Sequence, residues 1–341
     1  MNKGFVAISL LSIAAAVPSF AHHSYIHIDR SSIIAFEAKI LDFQWRNPHV
    51  YIRIGALDEN GEVAENGEWE IETGSTPILI HSGWSEDSIS TGDIIQLRAH
   101  PERGTTRNYA LLQSLTTEDG TVLEQGIVPS KAIETTTDFN VVWKSRLEAH
   151  APFEVVSALF ADFIQVPVTE SGQASLDSYD HDRDNPTAVC SGYGLIAGLT
   201  SPHYLNQIET LEDRVIIRDE WFDAERTIYT DGRDHPLNGE RTRLGHSVGH
   251  WEANTLVVDT RLFAEHVSPY GIGLASGEQK HIVERYTLNE DGRGLSLEVF
   301  LEDPEYLAQS FSGRLNWDYT PDFDFYRYDC DPEVATRFTA P

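Results

Sequence analysis

The 341-residue chain is poor in sulfur, carrying two cysteines and a single methionine, Met1. So few cysteines exclude a disulfide-dense framework, and a chain this long builds cores that need no staples. Positive charge is also scarce: 25 Lys and Arg stand against 54 Asp and Glu, for a formal charge of −29. The acids are dispersed, not gathered in a tail, and such a field repels nucleic acid and anionic headgroups, so neither is an expected partner. After the first 21 residues no apolar run approaches bilayer-spanning length, so no membrane insertion is expected once that segment is removed. Self-similarity at a fixed period is missing too, which argues against a solenoid. No motif fixes a reaction.

The N-terminus carries the features of an export signal. Lys3 supplies positive charge, Phe5 to Val17 a short apolar core, and Pro18-Ser19-Phe20-Ala21 a small-residue cleavage site. The expected location is periplasmic or secreted. Cleavage after Ala21 makes His22 the first residue, followed by His23, and a terminal His offers a metal both its amine and a ring nitrogen. With His27 and His49, the latter in an Asn-Pro-His turn, this set is a candidate copper or zinc site; an ordinary solvated terminus is the other reading. In an exported protein the even pair Cys190 and Cys330 suggests one disulfide, worth roughly 4 to 5 kcal/mol for a loop of about 140 residues; two unpaired thiols are the alternative.

Hydrophobic alternation predicts a mainly β protein. Strands at Ile34 to Phe43, His49 to Ile54 and Trp69 to Thr73, a short helix from Pro77 to Trp84, then strands at Ile94 to Ala99 and Ala110 to Thr116 follow the order of a five-stranded OB-like barrel, within a domain spanning 22–127. Residues 128–200 read as an irregular, partly helical connector, with a helix from Phe153 to Phe163 and an Asp-rich run from Asp177 to Asn185 that lacks the glycine and terminal glutamate of a calcium loop. Residues 201–341 read as an antiparallel up-and-down β-barrel or curved sheet. Its strands are expected at Val215 to Phe222, Arg226 to Thr230, His246 to Glu252, Thr255 to Phe263, His281 to Leu288, Leu295 to Leu301, Ser310 to Tyr319 and Phe323 to Tyr328.

Two carboxylates interrupt apolar faces of these strands. Glu284 lies between Ile282 and Tyr286, and Asp219 among Val215, Ile217 and Trp221. An inward carboxylate either orients a polar end of an apolar ligand, acts as a general base, or is neutralised by an Arg such as Arg218, Arg226 or Arg314. Arg233 and His235, beside the turn Asp231-Gly232, suggest an anion-recognising loop, and His235 is the natural partner of Glu284 in acid/base chemistry. The Gly-x-Ser-x-Gly letters at Gly245 to Gly249 lie inside an expected hairpin, not the strand-to-helix elbow a serine hydrolase needs.

Two resemblances follow from these markers. The first half resembles the secreted domain of unknown function 6152, through His22-His23-Ser24, Trp45-x-Asn47-Pro48-His49, Gly83-Trp84 and Gly92-Asp93, with Ala38 where that family usually carries Gly. The second half is similar to an unnamed exported family marked by Thr230-Asp231-Gly232-Arg233-x-His235-Pro236, then Gly245, Ser247, Gly249, Trp251 and Glu252, and the run Thr255 to Thr260. His246 and His250 stand where that family more often shows Asp and Arg, and Ala253-Asn254 replaces Gly-Asp. Neither resemblance implies a known activity. The expectation is an exported protein that binds a small, partly apolar molecule in its second domain, with Arg233, His235, Glu284 and Trp251 as contacts. Copper or zinc binding at His22, His23 and His49 is the alternative, and an acid/base lyase, isomerase or hydrolase using Glu284, His235 and Asp219 is the third reading.

Overall fold

A computed structural model describes residues 28–104, 107–126, 128–147 and 158–336. The expected signal segment and His22, His23 and His27 lie outside these residues.

The first domain is a six-stranded sheet in the order β3-β2-β1-β4-β5-β6. Its strands are β1 (Ile34–Gln44), β2 (Tyr51–Leu57), β3 (Val63–Glu72), β4 (Ile94–Pro101), β5 (Tyr109–Thr117) and β6 (Val122–Glu124), with α1 (Thr76–His81) between β3 and β4. Neighbours in this order are antiparallel, while β3 also pairs parallel with β5 through Ile71 and Ala110. Five strands were expected; β6 is an added edge on β5. Ala38, Ile40, Ile52, Ile54, Ile71, Leu97 and Leu115 alternate inward to build the core, with Leu79 of α1 packed on it. Pro77 in the first turn of α1 fits there because its missing N–H is one the helix would leave unpaired anyway.

The second domain is a closed nine-stranded barrel in the order β10-β11-β12-β13-β14-β15-β7-β8-β9. Its strands are β7 (Val142–Ser145), β8 (Leu205–Thr210), β9 (Arg214–Asp219), β10 (Ala224–Tyr229), β11 (His246–Glu252), β12 (Thr255–Arg261), β13 (His281–Leu288), β14 (Gly294–Glu302) and β15 (Phe311–Tyr319). Four features differ from the sequence expectation, the first being β8, which lies ahead of the first expected strand at Val215. Val142–Ser145, inside the segment read as a connector, is a barrel strand paired with β15 and β8. The barrel is not antiparallel throughout, because β10 and β11 run parallel. A ring of nine strands cannot alternate direction all the way round, and the long 230–245 crossover supplies the required parallel pair. Finally, Phe323 to Tyr328 forms no strand. The backbone N–H groups of Tyr326 and Tyr328 donate instead to Glu220 Oε1 (2.7 Å) and Asp223 Oδ1 (2.9 Å), which removes them from any ladder.

Alternation in the barrel wall follows the expected faces. Leu256 and Val258, then Ile282, Glu284 and Tyr286, then Leu295, Leu297, Val299 and Leu301 all point inward and are buried. Trp143 and Trp317 fill the interior, each buried aromatic contributing roughly 1.5 to 3 kcal/mol or more. The helices lie in the 158–200 region and near the C-terminus: α2 (Ala158–Phe163), α3 (Glu170–Ser178), α4 (His181–Asp184), α5 (Leu195–Thr200) and α6 (Pro332–Ala335). Helix α5 is set into the barrel end: Leu195, Ile196 and Leu199 join the barrel core, and the Trp317 indole donates to the Leu199 carbonyl at 3.0 Å.

The two domains meet beside that end. Asn47 joins α1 to the C-terminal segment, its side chain donating to Thr76 Oγ1 (2.8 Å) and to the Tyr328 carbonyl. His81 meets the buried Glu220 at 2.9 Å. Cys190 and Cys330 are joined in a disulfide, with Cα atoms 5.7 Å apart. Cys330 bridges to Asn47 of the first domain, so the crosslink ties the 190 loop to the domain junction and not to a last barrel strand.

Candidate functional site

The last residue of β9 and the second residue of β8 face each other in register, which places Asp219 and Asn206 side by side on the inner wall. Beside them lies a cavity of about 40 Å³, bounded on its apolar side by Leu195, Leu199, Ile217 and Trp221 and on its polar side by Asn206, Asp219, Arg226 and Arg243. By the usual measure of about 10 to 15 Å³ per water, it holds a few waters or the head of a small molecule. Asp219 Oδ1 accepts the Trp221 backbone N–H at 2.9 Å. Its Oδ2 lies against Gly198, where a Cβ would approach to 2.5 Å, so helix α5 reaches this depth only with glycine at that turn.

The polar groups here are under-partnered. Asn206 is 2% exposed, and its Nδ2 has no hydrogen-bond partner among the described residues. Burial, with help from neighbouring Glu220, pushes the Asp219 carboxyl well above the usual range, against the opposing effects of the Trp221 N–H and Arg243. Arg243 donates to the Tyr193 carbonyl, and among the described residues it has no carboxylate at ion-pair distance; burial lowers its pKa while Asp219 holds it up.

Glu284, the partner of the cavity-lining Arg226, is itself fully buried. Arg226 meets it in a two-pronged contact, Nη1 to Oε2 at 2.5 Å and Nη2 to Oε1 at 2.9 Å. The Tyr286 hydroxyl donates to Oε1 at 2.5 Å. Burial works against charge on Arg226, and Glu284 and Tyr286 more than offset it, raising its pKa. Of the arginines weighed from the sequence, Arg226 is the partner; Arg218 binds Glu209 and Glu225, and Arg314 binds Glu298 on the outer wall.

The remaining residues singled out from the sequence do not converge on the cavity. Arg233 is bound to Asp231 and lies 3.9 Å over the Tyr229 ring. Trp251 is 39% exposed, with its ring against Phe139. His235 sits on the outer wall, its Nδ1 2.9 Å from His246 Nδ1 and its Nε2 2.9 Å from Asp259 Oδ1, while His281 Nε2 takes Asp259 Oδ2 at 2.8 Å. Strand alternation explains this, since Asp259 lies between the inward Val258 and Thr260. Ser247 is buried and bonded to Thr260 Oγ1 at 2.9 Å, a structural position and not a nucleophile's.

At the same end of the barrel, Lys280 is 3% exposed, donates to Ser276 Oγ at 2.7 Å and lies 4.4 Å over Phe263. Burial lowers Lys280 to about 8, against the opposing charge of Asp303, whose own carboxyl is pushed up by burial. Tyr270 Oη and Asp303 Oδ1 are buried without partners among the described residues. Sequence reasoning missed Lys280, Asn206 and Arg243, because none breaks an alternation pattern.

In the first domain, His49 Nδ1 lies 2.8 Å from the Thr73 carbonyl and 2.9 Å from Glu72 Oε1, and the Tyr109 hydroxyl donates to Glu72 Oε2. Burial opposes charge on His49, but Glu72 and the Thr73 carbonyl raise its pKa overall. Among the described residues no group of three or more His, Cys, Asp or Glu is arranged to hold a metal, the Asp-rich 177–185 run included.

Residues 10–110 match the model of a family of unknown function, DUF6152. The match includes β1 to β4, α1 and the start of β5, so it covers most of the first domain and none of the barrel. No curated protein matches the chain. The DUF6152 region therefore contributes the wall at which α1 meets Glu220 and Tyr204, while the cavity belongs to the chain beyond it.

Proposed function

We propose that this is an exported protein whose nine-stranded barrel binds a small, partly apolar molecule at the Asp219 end. The observation that carries this reading is a cavity in which an apolar wall faces a buried amide with an unsatisfied N–H and a carboxyl oxygen set against Gly198. A buried polar group without a partner costs on the order of 1 to 3 kcal/mol, and a ligand supplying that partner recovers it. Ligand sites are typically concave, mostly apolar and equipped with a few such convergent polar groups. Binding is tested by mass spectrometry of small molecules that co-purify with the mature protein, and by quenching of Trp221 emission on adding them back. A protein that carries no small molecule and responds to none of a broad metabolite panel removes the proposal.

The first domain fits an OB-type barrel in this reading, since the parallel β3–β5 pairing joins the two ends of the run β3-β2-β1-β4-β5. Export is supported by the signal-like N-terminus together with the Cys190–Cys330 disulfide, which suits an oxidising compartment. N-terminal sequencing of the protein from a periplasmic or culture fraction tests it, with His22 as the expected first residue. The fixed orientation of the His49 ring favours copper or zinc at the mature terminus as a second reading, because metal-bound histidines commonly hold their other nitrogen against a carbonyl or carboxylate. A metal there competes with the proton that Glu72 favours, so affinity should rise with pH. Adding residues ahead of His22 should abolish such binding.

A further inference from the structure

We infer that the ligand of the barrel cavity is a small monocarboxylate, its carboxylate taken by Arg243 and Asn206 and its apolar tail laid along Leu195, Leu199 and Trp221. The inference rests on the proposed binding function and adds the chemistry of the ligand.

The polar side of the cavity offers donors. Arg243 has its protein contact at the Tyr193 carbonyl and no carboxylate at ion-pair distance among the described residues, so its guanidinium charge is uncompensated at short range. Asn206, at 2% exposure, presents an N–H with no partner among the described residues. Asp219 is buried beside them, and burial raises its carboxyl well above the usual range, which weakens its opposition to an anion. Arg226, the other cation lining the cavity, is taken up by Glu284 in a two-pronged contact, and the buried Glu220 next to Asp219 is bonded to His81 and to the Leu205 N–H. Among the described residues, a guanidinium without a carboxylate partner next to an unsatisfied amide N–H suits an anion with two acceptor oxygens, and arginine binds carboxylates in a matching planar fork. A neutral amide would bring its own N–H groups against these donors, and a cation would face Arg243. The chain's overall −29 charge opposes anions at long range, but that field is screened beyond about 8 to 10 Å at ordinary ionic strength, so the groups lining the cavity decide. The small volume and the apolar wall exclude a di- or tricarboxylate and favour a short tail.

The test uses the full mature chain and two matched series, straight-chain carboxylates from acetate to octanoate and the corresponding primary amides, read by Trp emission and by melting temperature. At least one carboxylate is expected to bind tenfold or more tightly than its amide, and Arg243→Gln is expected to erase that preference. Amides that bind as tightly as the acids overturn the carboxylate assignment while leaving cavity binding intact. Failure of every member of both series overturns the carboxylate assignment, and the cavity reading falls with it only if the co-purification and metabolite-panel tests are also empty. The acid–amide comparison is made on the wild-type protein, so it holds even if Arg243→Gln folds poorly. Full retention of acid preference in a folded Arg243→Gln protein also overturns the role given to Arg243.

Discussion

Arg226 on β10 reaches across the barrel interior to Glu284 on β13, and the two meet as a paired guanidinium and carboxylate with both side chains buried. The contact favours the ion-pair reading of Glu284: Oε2 accepts from Arg226 Nη1, and Oε1 accepts from both Arg226 Nη2 and the Tyr286 hydroxyl. Breaking one half of a buried pair strands the other charge. Glu284→Gln should therefore destabilise the protein by about 3 to 5 kcal/mol in urea unfolding. Replacing both partners, Arg226→Met with Glu284→Leu, should recover most of that loss. A Glu284→Gln protein as stable as wild type would contradict the pairing.

The Cys190–Cys330 link spans 140 residues and fastens the loop ahead of α5 to the segment that contacts Asn47. Denatured, unreduced protein should titrate no free thiol. The Cys190→Ser, Cys330→Ser double variant should lose roughly 4 to 5 kcal/mol of stability in the chain-entropy account. Two reactive thiols in the unreduced chain would refute the link.

Most barrel strands with one buried face were legible in the sequence, although β8, with Leu205, Asn206 and Ile208 buried, was not. The runs Leu295 to Leu301 and His281 to Leu288 show clean period-two alternation because their inner residues face a single core. What alternation does not encode is which strands neighbour each other or which way they run. The parallel β10–β11 pair depends on the path of the 230–245 crossover, and β7 offered four residues, too short a window for any period. Phe323 to Tyr328 misled because its alternating aromatics pack on the domain junction while its N–H groups are taken by Glu220 and Asp223. The site was half legible. Asp219 and Glu284 stood out as charges on apolar faces, whereas Arg243 lies in a loop and Asn206 is the second residue of a short strand. His235 and Arg233 stood out by motif, yet the crossover carries them to the outer wall.

Lys280 provides a test by pH. Burial lowers it to about 8 from an ordinary 10.5, so between those values the unfolded chain binds more protons than the folded one, and the lysine's contribution to stability rises with pH across that window. Below about 8 the folded state carries the full cost of charging a buried amine. Lys280→Met should therefore stabilise the protein at pH 7, by on the order of 2 kcal/mol. The advantage should shrink as the pH is raised toward 10.5. A variant whose gain is the same at pH 7 and pH 10 would show that the amine's titration contributes nothing.

Asp219 titrates with the opposite sign. Its folded-state pKa lies well above the ordinary 3.8, raised first by burial and then by Glu220, with the Trp221 N–H and Arg243 pulling the other way. Between 3.8 and the raised value the folded protein holds a proton that the unfolded chain has released, so stability from this group is intact below 3.8 and is lost as the pH rises through the folded pKa. Asp219→Asn keeps the shape and the acceptor for the Trp221 N–H but cannot ionise. The variant should match wild type near pH 4 and grow more stable than wild type as the pH climbs to 7, when the two urea transitions are compared at each pH. Because the amide also brings no negative charge to the cavity, carboxylate binding at pH 7 should be kept or strengthened. A stability difference that stays flat from pH 4 to 7 would mean that Asp219 is ionised in the folded protein. The cavity would then present a carboxylate to its ligand, and binding of an anion beside it would lose its support.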